Sequence, residues 1–173
     1  MFGQNGKLIR QVGIAGSSSR LLGIGFQPMP PHALLVIDFG NGRVLKVDPV
    51  TGLSSVFMTV PTPPGPGTTG LNALTFDSAG NVYVSDSFNG TIWKTGAGGG
   101  VATAWVDSSP LLQTTGVPPF GANGLGFNKF GDALFVANTG NDTVVKIPVN
   151  GGSPGKPEVF VNSINGADGL VLD

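Results

Sequence analysis

Residues 121–152 read GANGLGFNKFGDALFVANTGNDTVVKIPVNGG. Three short apolar runs, 124–127, 133–137 and 143–149, are separated by Gly131-Asp132 and by Thr139-Gly140-Asn141-Asp142. Runs this short between Gly, Asn and Asp clusters predict antiparallel strands joined by tight hairpins. The plan recurs in LNALTFDSAGNVYVSDSFNGTIWKTG, residues 71–96, and in LGIGFQPMPPHALLVIDFGNGRVLKVD, residues 22–48.

The three copies align position by position. Phe26, Phe76 and Phe127 close the first strand, and Asp38, Asp86 and Asn138 end the second. Asn41, Asn89 and Asn141 sit in the following turn; Lys46, Lys94 and Lys146 come five residues later. The opening position is Leu22, Asn72, Asn123 and then Asp168, where a fourth copy begins. The repeat length of about 45–51 residues suits a four-stranded propeller blade. The expected fold is therefore all-β: a β-propeller with about three complete four-stranded blades plus partial blades.

The blades are expected at about 22–60, 71–107 and 123–161, with partial blades at 1–14 and 168–173. Strands are expected at 23–26, 33–37, 43–47 and 55–60, then at 71–76, 81–85, 91–95 and 101–106. The third unit closes with an outer strand at 158–161. Residues 7–14 read either as the last strand of an earlier blade or as a frayed terminus. The Pro/Gly loop at 61–67 reads either as a stiff inter-blade connection or as the rim of a binding mouth. Trp93 and Trp105 are expected to fill space between blades.

Charged residues are 11% of the chain, against roughly 25% in an average domain, so little of the surface is built for polyelectrolytes. A net charge of −1 suggests neither a nucleic acid nor an anionic membrane as partner. The absence of cysteine removes disulfides, cysteine metal sites and a cysteine nucleophile. No apolar run approaches the ~18 residues of a membrane span. Met1-Phe2-Gly3-Gln4 lacks the charged and apolar regions of a signal peptide. His32 is the only histidine. Following Pro30-Pro31, it reads as a surface turn residue rather than the base of a Ser-His-Asp triad.

Chemistry must then come from the repeat. Innermost strands line a propeller's channel, so Asn72, Asn123 and Asp168 are expected to converge on one mouth. Asp38, Asp86 and Asn138 are expected near the same face, farther from the axis. Converging oxygens suit a hard divalent cation. Asn or Asp before Gly is also a common turn former, and that is the expected role of Asp38, Asp86 and Asn138. Leu22 at the matching position shows that the blade pattern tolerates an apolar side chain there.

Ala122-Asn123-Gly124-Leu125, then 131–138 (GDALFVAN), then Ala167-Asp168-Gly169-Leu170 resemble the senescence marker protein/gluconolactonase/luciferin-regenerating enzyme family. NHL-repeat propellers share the blade pattern. The resemblance covers about 22–173. It implies a six-bladed ring, of which this chain would be a fragment requiring the remaining blades of its parent. It also implies a divalent metal (calcium, zinc or magnesium) in the channel and a small-molecule substrate. Family members include hydrolases of sugar lactones and some phosphate esters. By resemblance, Asn123 and Asp168 would be metal ligands, Asp168 also a base towards water, and Asn72 a substrate contact. The metal would polarise the lactone carbonyl. The family's remaining ligand, a glutamate opening the first blade, has no counterpart here. The only glutamate is Glu158, in an expected outer strand. The expected function is a metal-dependent lactonase-like hydrolase, here as an inactive fragment; the alternative is a non-catalytic NHL-like propeller that binds a ligand or protein.

Overall fold

The computed structural model describes residues 2–61 and 69–172. The Pro/Gly loop at 61–67 thus lies almost wholly outside the described residues. Blade one comprises β1 (Leu21–Phe26), β2 (Leu34–Asp38), β3 (Arg43–Val47) and β4 (Ser54–Thr59). Blade two comprises β5 (Leu71–Phe76), β6 (Val82–Asp86), β7 (Thr91–Thr95) and β9 (Thr103–Val106), with β8 (Gly100–Val101) between β7 and β9 in the chain. Blade three comprises β10 (Ala122–Phe127), β11 (Ala133–Asn138), β12 (Thr143–Asn150), β13 (Ser153–Pro154) and β14 (Glu158–Val161). The first three strands of each blade pair antiparallel in chain order, and the outer strands β4, β9 and β14 pair with β3, β7 and β12.

The blades stack because their middle strands are apolar on both faces. All five residues of β6 are buried. Successive side chains of a strand point to opposite faces, so one strand serves two neighbours. Val82 and Val84 pack with Leu35, Ile37, Val44 and Met58 of blade one. Tyr83 packs with Leu125, Leu134, Val136 and Val145 of blade three. Trp93 of β7 joins the first cluster and Ile92 the second. Trp105 meets the Tyr83 ring edge-on at 5.2 Å. Both tryptophans therefore fill space at the blade interfaces. The hairpin after each second strand turns through a left-handed residue at the same place: Gly42 (φ 59°), Gly90 (φ 63°) and Asp142 (φ 55°).

One expected strand needs correction. The outer strand expected at 101–106 is broken at Ala102. Its first part, β8, pairs in parallel with β4 of blade one, and only β9 stays in its own blade. Residues 7–14 form no strand. Only an isolated Phe2–Leu8 bridge occurs there. Ile14 instead packs on Val36, Leu45 and Val47, and Arg10 donates to the Val50 carbonyl at 2.9 Å. Residues 168–172 run beside β10 without strand pairing. No second strand lies beside them among the described residues to complete a ladder.

Candidate functional site

The inner strand of every blade slips register at the same point. Leu21 pairs with Asp38 but Ile24 with Val36. Leu71 pairs with Asp86 but Leu74 with Val84. Ala122 pairs with Asn138 but Leu125 with Val136. Two residues thus oppose one, a bulge that re-aims side chains. The bulged pairs are Leu22-Gly23, Asn72-Ala73 and Asn123-Gly124, the opening positions of the repeat. Asn123-Gly124 therefore lies within a strand, and its glycine is not there for a turn. A Cβ on Gly124 would sit 2.2 Å from the Asp168 carbonyl oxygen. The glycine lets the next segment close on β10, with the Gly124 amide donating to that carbonyl at 3.0 Å.

Asn72, Asn123 and Asp168 line one cavity of about 620 Å³ together with Leu22, Arg20, Phe39, Phe120 and Thr139. Two hydroxyl relays set the polarity of the amides. The Thr139 hydroxyl donates to the Ala167 carbonyl at 2.7 Å and accepts from Asn123 Nδ2 at 2.9 Å. The Ser87 hydroxyl donates to the Ala122 carbonyl at 2.6 Å and accepts from Asn72 Nδ2 at 3.1 Å. A carbonyl can only accept, so each hydroxyl spends its one proton there and must receive from the asparagine. Each amide nitrogen is thereby held on the hydroxyl, and Oδ1 is turned away from it. Among the described residues neither Oδ1 has a hydrogen-bonding donor, and neither is a buried atom without a partner. Ser87 and Thr139 were not singled out from sequence. The signal was their shared place directly after Asp86 and Asn138.

Asp38, Asp86 and Asn138 are fully buried; Asp86 and Asn138 accept amides of the turn that follows, whereas Asp38 makes no such bond to its own turn's backbone. Asp86 accepts from the amides of Gly70, Phe88 and Asn89, from Asn89 Nδ2 and from Trp93 Nε1. Asn138 donates to the carbonyls of Leu111 and Gln113 and accepts from the Asn141 amide. Asp38 accepts from Ser18, Asn41 and Arg43. Burial pushes the Asp38 carboxyl up, but hydrogen bonds from Ser18, Asn41 and Arg43 outweigh it and hold the group below its ordinary value.

His32 sits in a turn with a left-handed backbone (φ 55°), its Nδ1 3.1 Å from the Gln27 carbonyl oxygen. Glu158 lies on outer strand β14, 3.8 Å from Lys146 Nζ, and does not line the cavity. Among the described residues no three His, Cys, Asp or Glu side chains group together. Among the described cavity residues the donors for a cation include one carboxylate, from Asp168, the two amide oxygens the relays release, and the Ser19 hydroxyl. All are hard oxygens, the type calcium and magnesium take.

No family model matches the chain. No curated protein matches it either. Solved structures do. Virginiamycin B lyase from Staphylococcus aureus superposes with a TM-score of 0.67 at 13% identity, over 99% of this chain and 52% of that one. The fold is a β-propeller. A gluconolactonase from Xanthomonas campestris gives 0.51 at 14% identity, over 88% of this chain and 66% of that one. A chain of a nidogen/laminin complex gives 0.59 at 12% identity, over 85% and 50%. This chain spans about half the length of the first of these. Two enzymes and a protein–protein complex on one fold leave function to the site.

Proposed function

We propose that this propeller segment carries the cation- and substrate-binding mouth of a lactonase-like hydrolase acting on a sugar lactone or a related cyclic ester. The observation that carries the reading is the pair of relays, which free the Asn72 and Asn123 amide oxygens beside a cavity that Asp168 also lines. Asn123 and Asp168 would hold a divalent cation, and Asn72 would contact the substrate. The bound cation would polarise the ester carbonyl. Asp168 takes the proton of an attacking water as its oxygen bonds to the carbonyl carbon. The ring C–O bond then breaks, and the leaving alkoxide takes up that proton to give the hydroxy acid. The resemblance of the Asn-Gly and Asp-Gly motifs to the gluconolactonase family supports this assignment.

The alternative, a non-catalytic propeller that binds a ligand or protein, is favoured by one observation: Asp168 is the only carboxylate among the described cavity residues. Calorimetric titration of calcium, zinc and magnesium into the chain tests the first reading. Asp168→Asn and Asn123→Leu are each expected to weaken cation binding at least about tenfold, in keeping with loss of a ligand. Unchanged affinity in both would sink the site. Cation binding without lactone hydrolysis in any longer chain containing this segment would favour the alternative.

A further inference from the structure

We propose that the cavity selects a lactone bearing an apolar substituent over a fully hydroxylated one, with Leu22, Phe39 and Phe120 setting that preference. The proposal rests on the lactone-hydrolase reading and names its substrate class. It follows from the place where the repeat breaks. Blades two and three each bring an asparagine to the mouth, Asn72 held by Ser87 and Asn123 held by Thr139. The same two positions in blade one hold Leu22 and Phe39, and both line the cavity. Blade one therefore lacks the amide that the other two blades present at this position.

The apolar side is a built surface. Phe39 packs edge-on against Phe88 at 5.9 Å, and Phe88 stacks on Phe120 at 5.8 Å. Phe88 thus links the two cavity rings. Leu22 is 43% exposed, so its side chain is available to a ligand. Leu21, Pro118 and Ser19 also line the cavity. The cavity of about 620 Å³ falls within the usual range for small-molecule sites, roughly 300–1,000 Å³. A sugar lactone carries hydroxyls around its ring. Those facing Leu22, Phe39 and Phe120 would lose water without gaining partners, which is unfavourable. An alkyl or aryl substituent there loses nothing and buries apolar area. The lactone head would then face Asn72, Asn123 and Asp168. Arg20, whose guanidinium lies 5.9 Å over the Phe39 ring, also lines the cavity.

The test uses the 173-residue chain with two hydrolysis-inert probes in saturating calcium: a δ-lactam with a pentyl chain, and gluconolactam. Calorimetry should show the pentyl lactam binding about tenfold tighter or more, the scale on which an apolar pocket discriminates. Leu22→Asn writes the blade-two residue into blade one at an exposed position. It should reduce that preference several-fold, and Phe120→Ala should act in the same direction. Equal or tighter binding of gluconolactam, no binding of either probe, or a preference untouched by both variants would overturn the proposal. The hydrolase reading fails separately. If the pentyl lactam is preferred but its affinity is indifferent to calcium, and the matching lactone is not turned over by a longer chain, the ligand class stands and the catalysis does not.

Discussion

Asp86 and Asn138 occupy the same place in neighbouring blades and do opposite things. Asp86 collects five donors. Asn138 gives its two amide protons to the Leu111 and Gln113 carbonyls. The loop arriving from the previous blade makes the difference: it presents an N–H, from Gly70, in one case and two C=O groups in the other. The residues that follow, Ser87 and Thr139, behave alike, because each faces an inner-strand asparagine on one side and a carbonyl of the next segment on the other. One position in the repeat is therefore tuned to its loop, and its neighbour to the cavity.

The largest effect should come from giving blade three the residue of blade two. Asn138→Asp would set a buried carboxylate against two carbonyl oxygens, costing about 3–5 kcal/mol at neutral pH. Such a carboxyl would titrate above its unfolded value, about 3.9. Its stability would then be intact below that value and lost as pH rises through the folded one. Urea unfolding should show a large deficit against the parent chain at pH 7 that shrinks towards pH 4. A deficit independent of pH would mean that packing, not charge, sets the choice. The reverse exchange, Asp86→Asn, turns an amide N–H₂ towards donors and should cost about 2 kcal/mol, the worth of charge-assisted hydrogen bonds.

Asp38 sharpens the comparison through pH. Its folded carboxyl lies below the ordinary value, so its contribution is present above the unfolded value of about 3.9. That contribution is lost as pH falls through the lower folded value. Denaturant midpoints measured from pH 6 downward should drop on the acid side, and Asp38→Asn should flatten part of that drop. An acid limb identical in the variant would remove Asp38 from the account.

What could be read from the sequence was local, and what escaped was long-range. β3, β5, β7 and β14 fall at the expected residues because apolar runs and Gly/Asn turns act within a few residues. Asn72, Asn123 and Asp168 share one cavity, as their common repeat position implied, while their chemical roles stand as proposals. The break at Ala102 depends on the β4 edge of another blade, which no periodicity within 101–106 reports. Nor does Asn123-Gly124 reveal its reason locally, since the approaching carbonyl belongs to Asp168. The hydroxyl relays end 35 and 28 residues away, beyond the reach of any motif.

The smallest expected effect tests the relay itself. Thr139→Val keeps the shape of the side chain and removes the hydroxyl. It deletes the donation to the Ala167 carbonyl and the acceptor that holds Asn123 Nδ2, at a cost of about 1 kcal/mol in stability. Its more specific consequence is at the cavity. Nothing then dictates which way the Asn123 amide faces, so Oδ1 is no longer presented and cation affinity should fall several-fold. Thr139→Ser retains the hydroxyl and should restore affinity even if its lost methyl group leaves stability slightly reduced. The two readouts separate the roles: a stability change shared by both variants belongs to packing, whereas an affinity loss confined to valine belongs to amide orientation. If valine and serine bind the cation equally, the amide is held by its strand geometry alone and the hydroxyl serves only to join the last segment to blade three.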